Sequence, residues 1–211
     1  MEERRVASNA AGRSGTHPSR RRLDRRLGRG DLTRMSIIDA TIDLFRSGSP
    51  QPTVDEIATR AGVSVRSVHH HFHGVEYLVR RATELYSARH RSLIAAIPPH
   101  GPVDVRIRAI CHQRRLLFEA VAPVLLANYI RAKGSPEEND IVSEYRILLR
   151  RQLAGTLRPE ILARGTHAQI LFDALDVATG WQSWLSLRFE GGRSPSAAED
   201  VMVYAVSVLL R

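Results

Sequence analysis

The chemistry-bearing residues of this chain crowd into one stretch, Thr53 to His73. Histidines stand at positions 69, 70, 71 and 73. Histidines at i and i+4 on a helix can give two ligands to one ion, and His69 and His73 have that spacing. No acidic or cysteine partner lies at a fitting spacing, so no metal site is expected. Catalysis has no better foothold. There is no G-x-S-x-G, no H-E-x-x-H and no phosphate loop, so the chain is not expected to be an enzyme and no cofactor is implied. A fortuitous run and a surface shaped to enter a DNA groove are the readings that stay open for this stretch.

The elements that must hold such a surface follow from capping and periodicity. Leu32 to about Arg46 reads as a helix, with Met35, Ile38, Ile42 and Phe45 as its inner stripe and Ala40 and Leu44 widening it. Ser47-Gly48-Ser49-Pro50 ends it. Thr53 and Glu56 form a T-x-x-E capping box that starts a second helix, with Val54, Ile57, Ala58 and Ala61 facing inward. Gly62 breaks it and Ser64 caps a third helix, whose inner face is Val65, Val68 and Phe72. Two short helices around a tight turn containing Gly make a helix-turn-helix. A fourth helix is predicted from Gly74 towards Ile97, and Pro98-Pro99-His100-Gly101-Pro102 is a firm break. Further helices are expected at about 103–120, 122–132, 136–156, 166–189 and 194–210, with Pro and Gly between them. No strand run stands out, so the fold class is all-α.

Composition bounds the setting. The chain has 211 residues, 43% of them hydrophobic, enough for a buried core. No apolar run reaches the ~18 residues of a membrane span, and the N-terminus lacks the apolar segment of a secretory signal. The single cysteine, Cys111, fits a reducing cytoplasm. The net charge is +9, and arginine supplies all but one of the 31 basic residues. Residues 1–30 carry nine arginines against Glu2, Glu3 and Asp24. That tail is too polar to fold alone and is expected to be a disordered basic arm that favours polyanions.

The pattern Ala40-x-x-Leu44-Phe45, Gly48, Thr53-Val54-x-x-Ile57-Ala58-x-x-Ala61-Gly62-Val63-Ser64-x-x-Ser67-Val68-x-x-His71-Phe72, Glu76-x-Leu78 resembles the DNA-binding domain of the TetR family of bacterial regulators. The motif covers about residues 34–80; beyond it only the helical layout is similar. The resemblance implies a homodimer with an N-terminal helix-turn-helix and a helical domain that binds an effector and dimerises. Residues 31–78 would be the DNA-binding part and 79–211 the remainder. Two departures stand out: His69 replaces a usual Tyr, and Gly74-Val75 replaces a common Lys.

In such a domain the exposed start of the third helix meets base edges. Arg66 can bond guanine O6 and N7, and Val65 can pack on a thymine methyl. Ser67, His69 and His70 suit phosphates. Thr53 and the free amides at the second helix start can hold another, with Arg34 near the same strand.

The C-terminal part reads as a bundle with a ligand pocket between its helices. The candidates on the first stretch are Cys111, Arg114, Phe118, Leu125 and Tyr129. Tyr145, Leu149, Phe172 and Trp181 join them from later helices. Arg114 or Arg115 inside the pocket would favour an anionic effector. Dimerisation is expected from the helix at 166–189, apolar on more than one face, together with the last helix. Ala174, Ala178, Trp184, Val201, Ala205 and Val208 are the candidate interface residues. The expected function is a repressor that binds a palindromic DNA operator as a homodimer and leaves it when a small molecule binds, without a membrane partner. A regulator with a filled core, controlled by a protein partner, is the alternative; a metal-dependent enzyme using the histidine run is a third.

Overall fold

A computed structural model of the chain describes residues 28–131 and 140–211, with side chains described outside 128–131 and 140–143. The expected basic arm therefore lies almost wholly outside the described residues, as does the side chain of Tyr129. Every regular element among the described residues is helical: α1 (Arg29–Arg46), α2 (Val54–Ala61), α3 (Val65–His71), α4 (Val75–His90), α5 (Val103–Arg131), α6 (Asp140–Thr156), α7 (Arg158–Ala163), α8 (Ala168–Ala178), α9 (Trp181–Leu185) and α10 (Pro195–Leu209).

The first three helices form as their caps dictate. After α1 the Ser49 amide reaches back to the Leu44 carbonyl at 3.0 Å, over Gly48 with φ of 90°. The Thr53–Glu56 box closes α2, and the left-handed Gly62 lets the Val63 amide bond the Ala58 carbonyl at 3.0 Å. The Ser64 hydroxyl accepts from the Ser67 amide at 3.1 Å to start α3. Ile37, Ile38, Ile42, Leu44 and Phe45 of α1 bury against Ile57 and Ala58 of α2 and Val68 and Phe72 around α3. Leu78, Val79, Ala82 and Tyr86 of α4 complete this cluster, and Val124 and Ala127 of α5 back it. Val65, expected on the inner face, is exposed.

A second cluster fills the rest of the molecule, from Ile107, Ile110, Leu117 and Phe118 of α5 to Leu171, Leu175, Trp184, Met202 and Val206. Arg106 locks the start of α5 to α7 through paired bonds to the Glu160 carboxylate and one to the Thr156 carbonyl at 2.8 Å.

Three boundaries differ from the sequence expectation. Helix α5 runs unbroken through Pro123. Proline removes one backbone bond, but Val121, Ala122 and Val124 around it are buried and hold the helix in place. The Tyr86 hydroxyl also donates to the Ala120 carbonyl in this turn, at 2.8 Å. The helix expected at 166–189 is split. At Thr179-Gly180 the hydroxyl of Thr179 turns back to the Leu175 carbonyl and Gly180 adopts an extended backbone. A Cβ at Gly180 would lie 2.9 Å from the Asp176 carbonyl oxygen, so only glycine allows this approach. A π-turn follows at Ser186–Glu190. Finally, α4 ends at His90 rather than near Ile97, and Ile94 and Ile97 pack on the second cluster from a loop.

Phe72 is almost wholly buried beneath α3. Phe72→Ala should lower folding stability by about 3–5 kcal/mol, read from a urea melt, whereas Phe72→Leu should lower it far less. Equal losses in the two variants would mean that α3 is not seated on this core.

Candidate functional site

Helix α3 presents two unlike faces. Val68 and the following Phe72 are buried, while Arg66, His69 and His70 are exposed on the other side and Val65 lies at their edge. Ser67 is half-buried and its amide is spent on the Ser64 cap. A helix held by one stripe with an open polar stripe opposite has the shape required to enter a groove. His71 is half-buried; its ring carbon Cε1 would lie 3.9 Å from a Cβ at Gly30, so it packs towards the start of α1. Among the described residues no three His, Cys, Asp or Glu side chains group as metal ligands do.

Two of the sequence-derived DNA candidates are engaged within the fold. Arg34 is half-buried, its guanidinium 5.1 Å from the Phe72 ring centroid and directed at the Tyr77 hydroxyl. Thr53 is closed on Glu56: its amide donates to Oε2 at 2.7 Å and its hydroxyl at 3.0 Å. These bonds hold the Glu56 carboxyl below the usual glutamate range. A phosphate at Thr53 would have to compete with that carboxylate, so the next amides of α2 are better placed to receive one.

The second feature is a cavity of about 370 Å³ between α4, α5, α6 and the α8–α9 break. Arg114, Phe118, Leu125, Tyr145, Leu149 and Trp181 line it, as their types and positions suggested. Cys111 and Phe172 are not among its lining residues. Cys111 turns into the second core cluster, and Phe172 lies under the Arg150 guanidinium at 4.4 Å. Sequence reading missed Ser87, Arg146, Asp176, Thr179 and Gly180. The available signal was Asp176, a carboxylate beside the buried Leu171–Leu175 stripe of α8.

The polar groups of this wall are tightly held. Arg146 and Arg150 both donate to Asp176 Oδ2, at 3.1 and 2.5 Å, and Arg150 bonds Asp173 at 3.0 Å. Arg114 is 1% exposed and donates to Gln152 Oε1 and the Leu149 carbonyl, each at 2.9 Å. The Tyr145 hydroxyl donates to the Ser87 carbonyl of α4.

The candidate interface residues do not form one surface. Trp184 is wholly buried in its own core, its indole Nε1 donating to Glu119 at 3.1 Å, and has no face to offer a partner. Val201 and Val208 are exposed on α10, and Ala174, Ala178 and Ala205 are half-buried. Beside them stand Ile170, which the sequence already placed on the apolar helix, and Val177 and Tyr204, which it did not single out, at 68%, 67% and 71% exposure.

Comparison with known proteins bears on the helix-turn-helix and on the fold. Residues 37–82 match the family described as bacterial regulatory proteins, tetR family. The HTH-type transcriptional regulator BetI of Agrobacterium fabrum is 29% identical over 161 residues, covering 71% of this chain and 78% of that protein. A tetR-family transcriptional regulator from Streptomyces coelicolor superposes with a TM-score of 0.66 at 23% identity, over 87% of this chain and 80% of the other. A transcriptional regulator from Rhodococcus sp. Rha1 does so with a TM-score of 0.62 at 19% identity, over 87% and 96%.

Burial pushes the Cys111 thiol up to about 12, which leaves it neutral and shielded. Ellman's reagent should find almost no reactive thiol in the native protein and about one equivalent after unfolding in guanidinium. Rapid reaction of the native form would place Cys111 outside the core.

Proposed function

Because the chain is a TetR-family transcriptional regulator, we propose that it is a repressor whose homodimer binds a palindromic operator and is released by a small molecule in the cavity. We assign the reading head to residues 31–78, and effector binding and dimerisation to 79–211. The observation that carries this reading is the position of α4. Its first half buries Leu78, Val79 and Ala82 in the head's core, and Ser87 near its other end lines the cavity. One helix thus touches the part that would read DNA and the part that would sense the ligand.

In this reading α3 enters the major groove. Arg66 reads guanine and Val65 packs on a thymine methyl, while Ser67, His69 and His70 set the register on phosphates. The basic residues of the N-terminal 30 add phosphate contacts, and Arg34 supports Phe72 beneath α3 rather than reaching far itself. The dimer forms across α8 and α10. Ile170 and Val177 on one helix and Val201, Tyr204 and Val208 on its neighbour make an exposed apolar face of the kind that pairs with a second copy. Two heads then sit about one helical turn of DNA apart, roughly 34–36 Å.

Release is a shift between two arrangements of the heads. A ligand among Ser87, Tyr145 and Arg114 favours the arrangement in which α4 holds the heads at the wrong spacing. The Tyr145 bond to the Ser87 carbonyl ties α6 to α4 and supports this route. The cavity volume, within the usual range for small-molecule sites, favours a small-molecule effector over control by a protein partner.

A gel shift with the palindrome upstream of the protein's own gene tests the reading. A retarded band at low salt is expected, and its absence would overturn it. Arg66→Ala should cost about 1–3 kcal/mol of operator binding and relax the preference for one base pair, whereas His69→Ala should weaken all sequences alike. Tyr204→Glu should shift the protein from dimer to monomer in light scattering; an unchanged dimer would move the interface elsewhere.

A further inference from the structure

The cavity wall carries an unbalanced charge. Arg146 and Arg150 close on Asp176, and Arg150 also holds Asp173, so two arginines meet two aspartates. Arg114 is left over. Its Nη1 and Nη2 go to neutral acceptors, Gln152 and the Leu149 carbonyl, and its Nε is buried without a hydrogen-bond partner. No carboxylate lies within ion-pair distance of it among the described residues.

Cys111, three residues earlier on α5, supplies no countercharge, because its thiol stays neutral. Burial pulls Arg114 down to about 10, which still leaves it charged at neutral pH. The nearest acid that acts on it, Asp176, is already shared by Arg146 and Arg150. A desolvated cation so poorly balanced is unfavourable, and an anion brought against it offsets that cost. Apart from Ser87, Tyr145, Thr179, Gln182 and the Arg146–Asp176 pair, the wall is apolar. Phe118 and Trp181 meet edge to face with ring centroids 5.7 Å apart, and Val121 and Leu125 lie beside them.

We propose that this cavity takes an apolar monocarboxylic acid, with its carboxylate against Arg114 and its body on Phe118, Trp181, Val121 and Leu125. The proposal rests on the effector reading of the same cavity and narrows it to one chemical class. A single negative charge balances the wall. A second one would meet Asp176, and a cation of the same shape would add to the surplus. The guanidinium is already oriented by Gln152 and Leu149, so the carboxylate meets a donor that loses little freedom on binding.

The test uses the full chain without DNA and reads the change in tryptophan fluorescence, from Trp181 in the wall and Trp184 behind it, as probes are added. The probes are 3-phenylpropanoate, 3-phenylpropanamide and 3-phenylpropylamine, then octanoate, octanamide and octylamine. Each carboxylate should bind at least about tenfold tighter than its amide, and the amines should bind weakest. Arg114→Met should erase the preference, and Arg114→Lys, which keeps the charge, should retain most of it. If Arg114→Met fails to fold, the ranking of the six probes on the native chain and the Arg114→Lys result decide.

Amides or amines that match the carboxylates overturn the proposal. So does an absence of carboxylate binding up to about 1 mM, or an Arg114→Met variant that keeps the preference. A parallel gel shift separates this failure from failure of the effector reading. A carboxylate that binds but leaves the protein on DNA removes the effector role and keeps the ligand class. Release by an amide or amine, with no response to the carboxylate, does the reverse.

Discussion

Helix α4 is the constraint on which the rest of the molecule depends. Its apolar residues are shared between α1 and α5, and two of its hydrogen bonds, Tyr86 to Ala120 and Tyr145 to Ser87, run to different helices of the larger part. A close-packed helix moves as a unit, because sliding one end opens voids at the other. The helix that buries Leu78, Val79 and Ala82 beside α3 also carries Ser87, which is part of the cavity wall. Rigid packing, rather than a dedicated relay of side chains, is what would connect a ligand to DNA in this architecture.

The cavity itself exists because one helix stops. Had α8 continued past Ala178, its next turn would have covered the ground that Thr179, Gly180 and Trp181 now border. Gly180 permits the break because any side chain there would collide with the Asp176 carbonyl oxygen. The same break turns Trp184 inward to Glu119, where Arg188 also binds. A residue that would have lain on an outer face of a straight helix is thereby sealed in the core. Polar groups then collect around the opening, because the turn exposes backbone and Asp176 needs partners once it is buried.

Much of the helix-turn-helix domain was legible in the linear chain. Its signals are local: a capping box spans four residues, a left-handed glycine ends its own helix, and an inward stripe repeats every three or four positions. Thr53, Glu56, Gly62, Ser64, Val68 and Phe72 each act over less than two turns, so their roles survive without knowledge of distant neighbours. The cavity was legible only by residue type. Large aromatics and arginines on bundle helices pointed to Phe118, Trp181 and Arg114, but the same reasoning included Cys111 and Phe172, which face elsewhere.

What the sequence determined by itself, then, is the all-helical class, the paired helices around Gly62 and the open polar face of α3, because short-range hydrogen bonds and periodicity decide them. Tertiary structure alone decided that α5 passes through Pro123, that the chain breaks at Gly180, that Trp184 is internal and that Arg114 is left over among paired charges. Each of these depends on which groups arrive from far along the chain. Burial can override a local helix breaker, and the balance of charge in a wall is a sum over several helices that no single segment contains.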